Sequence, residues 1–192
     1  QIYVSGEAVE TPVAVPFGGR EPALHTNPIA IGIPGGEEPP MVLDFATTMI
    51  SGSKVIIAQN HGDQVPEGSL VDANGNPTTD PSHFPHEGGL VPFGGHKGYA
   101  LMLAIELLGR VFAGADAFGE EGRGGPGMRH QGVTMIVIKA DLFQPMTGFG
   151  DSADRLQQKI RSAPAGKGFD SVMLPGDLEN RARAIRCRDG IP

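Results

Sequence analysis

The chain has one cysteine, Cys187, in 192 residues, so no intrachain disulfide can form. That excludes a disulfide-stapled secreted scaffold and fits a reducing compartment, which makes the cytoplasm the expected location. Positive charge is also scarce: 15 Lys and Arg stand against 22 Asp and Glu, a formal charge of −7. Such a balance argues against nucleic acid or an anionic membrane as a bulk partner. Arginines gather at 181, 183, 186 and 188, but Glu179 and Asp189 flank them, as on a solvated helix face. No apolar run is long enough to cross a bilayer, no signal-like start is present, and nothing repeats at a solenoid period. Two nucleotide devices are missing as well. No G-x-G-x-x-G follows a strand, and "GGHKG" (94–98) places its lysine too early for a P-loop, with no Ser or Thr after it.

What is present is 29 Gly and 17 Pro, scattered without period, as in a loop-rich globular protein of one domain or a compact pair of lobes. The segments 1–9, 29–34 and 41–46 read as strands. Ala46, Ile50, Lys54 and Ile57 fall at helical spacing, and 61–81 is a turn-rich surface excursion. Ala100, Ala104, Leu107, Leu108 and Val111, with Leu101, Ile105 and Phe112 beside them, predict a largely buried helix ended by Gly114. The β-branched run 133–143 predicts a strand buried on both faces, after a glycine-rich patch near 119–127. Ser152 reads as the N-cap of a helix, 168–177 as a short strand ending in a Pro-Gly turn, and Asp177 as the cap of a last helix running to Gly190. Strands and helices intermingle without a βαβ rhythm, so the fold class is α/β or α+β. Gln1 opens inside a strand, and the expectation is that further residues precede it.

Chemistry is sparse on local grounds. Gly94, Gly95 and Gly98 would let backbone approach an anion closely, with a helix start and the Lys97 charge behind them. A tight turn into a buried helix, with Lys97 in solvent, is the plainer reading, and spacing alone favours it. Asp44, at the end of an apolar strand, suits a ribose contact or a helix cap. His83, His86 and His96 lack a supporting cysteine, so no metal is expected; His25, His61 and His130 are isolated.

Taken together, four segments change that balance: "PFGGREPALHTNPIAIGIP", "VLDFATTMISGSKVIIAQNHGDQVPEGSLVDANGNPTTDP", "LVPFGGHKGYALMLAIELLGRVFAGA" and "LPGDLENRARAIRCRDGIP". In order and spacing they closely resemble the type 2 malate/L-lactate dehydrogenase family, a non-Rossmann group that includes ureidoglycolate dehydrogenase and diketogulonate reductase. The resemblance implies a mixed α/β fold whose mostly antiparallel sheet is flanked by helices. It implies a cofactor lobe over 1–148 and a helical return over 149–192, cut short at its end. It also implies NAD or NADP as cofactor, a small 2-hydroxy or 2-oxo acid as substrate, and a homodimer.

The implied cofactor contacts are Pro40, Met41, Val42, Leu43, Asp44, Phe45 and Ala46, the pair His96 and Lys97, and the turn Gly176, Asp177 and Leu178. Family members commonly have Glu or His after Pro-Gly, where this chain has Asp177, which preserves the acidic or polar character; Leu178 is unusual for the family. The Thr26-Asn27-Pro28 turn matches a family signature that would shape the pocket floor. Arg129 and His130 are placed near the substrate by position alone. The family's proton-donating histidine matches a position ahead of Gln1, so no catalytic residue is expected within this chain. The competing expectation is a non-catalytic dimerisation or interaction module on the same fold.

Overall fold

A computed structural model describes residues 1–6, 12–115 and 131–191. The glycine-rich patch near 119–127 and the pair Arg129 and His130 lie outside the described residues. The chain divides into two compact units. The first comprises Gln1–Ile2, Ala30–Leu43 and Ile136–Pro192; the second comprises Tyr3–Ile29 and Asp44–Met135.

Strands β1 (Ile2–Gly6), β2 (Ile29–Ile33), β3 (Met41–Phe45) and β7 (Gly132–Ile136) share one sheet in the order β3–β2–β1–β7. Gln1 and Gly32 exchange both backbone hydrogen bonds at 2.9 Å, the signature of a narrow antiparallel pair. A smaller sheet sets β4 (Leu70–Val71) between β5 (Pro77–Thr78) and β6 (Gly89–Leu90), antiparallel to each. The mixed α/β class with antiparallel sheets therefore stands. The turn-rich excursion at 61–81 is more ordered than its punctuation suggested, because Val65 and Leu70 are buried anchors within it.

In the second unit Ala14, Leu24, Val55, Val65, Leu70, Phe84, Leu90 and Met102 form one apolar core. Helix α1 spans Gly52–His61, later than the spacing from Ala46 implied, because Ser51 caps it and Thr47–Met49 pair with 91–93 instead. Helix α2 spans His96–Glu106 and passes into a π-helical turn over Leu107–Phe112. Its buried side is Gly98, Met102, Ile105, Glu106 and Gly109; of the expected apolar positions Ile105 is buried, while Ala100, Ala104, Leu107, Leu108, Val111 and Phe112 face solvent. The error has a physical cause. The packed face mixes glycines with a buried carboxylate, so hydrophobic spacing marked the opposite side of the helix.

Strand β7 is likewise shorter and more open than its β-branched run implied. It ends at Ile136, and Met135, Val137 and Ile138 are all more than half exposed. In the first unit α3 spans Met146–Arg161 and starts well ahead of Ser152, which lies inside it and accepts from Arg155. Gly148 and Gly150 masked that start. Residues 168–174 form no strand; the turn at Pro175–Gly176 opens α4 (Asp177–Asp189), with Gly176 rather than Asp177 as its N-cap and Gly190 as its C-cap. Among the described residues no helix is long and apolar enough to cross a membrane.

Candidate functional site

The implied contact residues fall into two clusters, one in each unit, and β3 contributes residues to both. In the second unit, Asp44, Phe45 and Ala46 lead into Thr47–Met49, which runs beside 91–93. The Phe93 N–H donates to Thr47 O at 3.0 Å and the Met49 N–H to Val91 O at 2.9 Å. The Phe45 and Phe93 rings meet edge to face, centroids 5.7 Å apart. Asp44 is exposed and caps no helix, since α1 begins eight residues later behind Ser51.

Directly after Phe93, Gly94 (φ 59°) and Gly95 (φ 63°) take two consecutive positive-φ conformations, which only glycine adopts without strain. This double turn aims the start of α2 outward. Gly95 is the N-cap, no side chain caps the helix, and its first turn holds no acidic residue. The free N–H groups, with exposed Lys97 beside them, suit an anionic group. His96 is held edge-on by Phe17, centroids 6.0 Å apart. The Thr47–Phe93 bond ties the segment that follows Asp44–Ala46 to the one that precedes His96 and Lys97.

In the first unit, Pro40–Leu43 lie against the turn Gly176–Leu178. Gly176 has φ 91°, and a Cβ there would stand 3.1 Å from Val42 O, so glycine both permits the turn and lets it touch the strand. The Asp177 carboxylate is fully engaged. It accepts from the Arg161 guanidinium at 2.9 Å and from the Leu174 N–H at 2.8 Å. Arg161 also donates to Glu38 at 2.7 Å, bridging two carboxylates. These bonds, the Arg161 guanidinium first and the Leu174 N–H next, hold the Asp177 carboxyl below its ordinary pKa. Asp177 therefore fixes the turn, and Leu178 is left exposed beside it.

Sequence reasoning missed Glu38 and Arg161, which are separated by more than a hundred residues and carry no local motif. It also missed Asp154, whose carboxylate accepts from the Gly36, Glu37 and Glu38 N–H groups at 2.8, 2.7 and 3.3 Å and holds the loop leading to Pro40. Its carboxyl is lowered by the Gly36 and Glu37 N–H groups. His83 lies 3.6 Å from Glu87, and His96 is turned to Phe17 instead. Among the described residues no group of three His, Cys, Asp or Glu is placed to hold a metal ion.

Comparison with known proteins gives these clusters a context. A family model described as malate/L-lactate dehydrogenase matches residues 3–192. An L-lactate dehydrogenase of Cupriavidus necator is 37% identical over 179 residues, covering 90% of this chain and 51% of that protein. A malate/(S)-sulfolactate dehydrogenase of Methanothermus fervidus is 38% identical over 183 residues, covering 94% and 52%. The solved sulfolactate dehydrogenase of Methanocaldococcus jannaschii superposes with a TM-score of 0.81 at 35% identity, covering 100% of this chain and 54% of that one. The chain spans about half the length of the curated relatives it matches.

Proposed function

This chain belongs to the malate/L-lactate dehydrogenase family, and from that premise we propose that it binds a nicotinamide cofactor, NAD or NADP. It would do so as part of an oxidoreductase that moves a hydride between that cofactor and the α-carbon of a small 2-hydroxy or 2-oxo acid. The relatives' names, lactate and malate/sulfolactate dehydrogenase, support the substrate class. The observation that carries the reading is the uncapped start of α2, where two positive-φ glycines lead into free N–H groups beside His96 and Lys97. That donor set fits the phosphates of a dinucleotide, which need several N–H groups and a cation.

In this reading Pro40–Ala46 form the strand against which the cofactor lies, and His96 and Lys97 grip it. Gly176, Asp177 and Leu178 supply a second contact. Because the Asp177 carboxylate is committed to Arg161 and Leu174, the turn offers its backbone and the Leu178 side chain. The cofactor, when bound, supplies the hydride chemistry. The chain's own residues bind and orient it and keep water from the reacting face. No proton donor is assigned among them.

A homodimer accompanies this reading. Leu103, Leu107, Leu108, Val111 and Phe112 stand in solvent on one side of α2 and its π turn, a surface suited to a second copy. The mass of the protein in solution tests it. The cofactor reading is tested by titrating the chain with NADH and with NADPH while following nicotinamide fluorescence. Binding of at least one is expected, with Lys97→Ala weakening it by about tenfold. No fluorescence change with either cofactor would contradict the proposal.

A further inference from the structure

Asn27 is fully buried at φ 38°, the one described non-glycine residue in the left-handed region. Its amide nitrogen donates to Met102 O at 3.1 Å and to the Glu106 carboxylate at 2.9 Å. Both partners are pure acceptors, so only this orientation of the amide satisfies them. Glu106 is 4% exposed, and its other oxygen pairs with Arg110 Nε at 2.5 Å. A buried carboxylate is costly to keep, and an apolar side chain of similar size would pack α2 as well. What the polar set adds is direction. It fixes the rotation and the axial position of α2 against the Thr26–Pro28 turn.

The same turn reaches the other end of α2. The Thr47 N–H donates to Thr26 O at 2.8 Å, and its hydroxyl to Thr26 O at 2.9 Å and to Asn27 O at 3.1 Å. Thr47 O in turn accepts from the Phe93 N–H, two residues ahead of the glycine N-cap of α2. One turn is thereby tied to the last residue of the helix and to the segment that launches it. We propose that Asn27 and Glu106 are positioning residues that set where His96 and Lys97 stand. This rests on the reading that those two residues grip the cofactor. Glu106 sits where α2 passes into the π turn, a local irregularity of the kind that accompanies functional constraint.

The test compares Glu106→Gln, Asn27→Gly and the control Val55→Ala in the full chain. Glu106→Gln keeps the shape and removes the charge. Asn27→Gly keeps the left-handed backbone accessible and removes the amide, and carries the test if the first variant fails to fold. Val55 is buried in the same core and touches none of these groups by hydrogen bond. Two readouts are taken: the Kd for NADH and NADPH, and the NMR resonances of the His96 ring and the Lys97 amide in the free chain.

The positioning variants are expected to weaken cofactor binding by about tenfold and to shift both resonances. Val55→Ala should lower Tm with Kd and resonances unchanged. Wild-type-like Kd and resonances in both positioning variants would overturn the inference, as would equal losses in Val55→Ala. If the wild-type chain binds neither cofactor, the cofactor reading fails by itself. The resonances then decide: unmoved signals overturn the link from Glu106 to His96 and Lys97, and moved signals uphold it.

Discussion

The two units reach order by different means. The second unit buries an apolar cluster from Ala14 to Met102, and its polar groups, Asn27, Thr47 and Glu106, are buried with it. In the first unit, Leu174 is the one buried apolar side chain among the described residues, and α4 buries none. That unit is fastened instead by carboxylates. Asp154 holds three backbone N–H groups, while Arg161 joins Glu38 to Asp177. Apolar burial resists salt and pH, whereas ion pairs and carboxylate caps answer to both. The His96 and Lys97 cluster thus stands on a core, and the Gly176–Leu178 cluster stands on charge.

The largest effect should come from the core. Leu90→Ala, at a fully buried site, is expected to cost about 2–5 kcal/mol in a denaturant titration. Arg161→Met should cost about 1–2 kcal/mol and act locally, since it leaves the Glu38 and Asp177 carboxylates without their shared cation. Hydrogen exchange should quicken at the Leu174 and Asn180 amides and stay unchanged at Leu90. Uniform quickening across both units would erase the contrast.

The smallest effects are in pH, and they separate the units by range. The lowered pKa values of Asp177 and Asp154 mean that their contribution is present above the ordinary carboxylate range. It is lost as pH falls through the folded-state values, so the first unit should loosen below about pH 4. In the second unit, burial lowers the pKa of His25 from 6.5, so the unfolded chain takes up a proton before the folded one does. Stability should therefore fall as pH drops below about 6.5 and level off beneath the folded value. A urea midpoint that declines in the wild type and declines less in His25→Asn, between pH 7.5 and 5.5, would show it.

Legibility in the sequence cut across that divide. Strands β2 and β3, the glycine turn before α2 and the Gly190 stop were readable because short-range propensity and turn chemistry fix them. The four-segment resemblance then supplied the family, which spacing alone did not. The buried face of α2 was misread because Gly98, Glu106 and Gly109 pack where hydrophobicity is low. The extents of β7 and α3 were misread for related reasons. Apolar residues need not be buried, and glycines can sit inside a helix. The Glu38–Arg161–Asp177 bridge joins residues far apart in sequence, so no local pattern announces it. Asp177 was singled out as a helix cap and as a cofactor contact; the bonds of its carboxylate to Arg161 and Leu174 were not foreseen.

The proposal most open to direct test is that the start of α2, with His96 and Lys97, binds a nicotinamide cofactor. Its most direct test is an NMR titration of the isotopically labelled chain with NADPH and, separately, NADH. Saturable shifts are expected at the amides of Gly95–Gly98, with little change around Gln59, Asp63 and Asp80, which line a separate cavity. Shifts confined to that cavity, or no saturable shift with either cofactor, would contradict it.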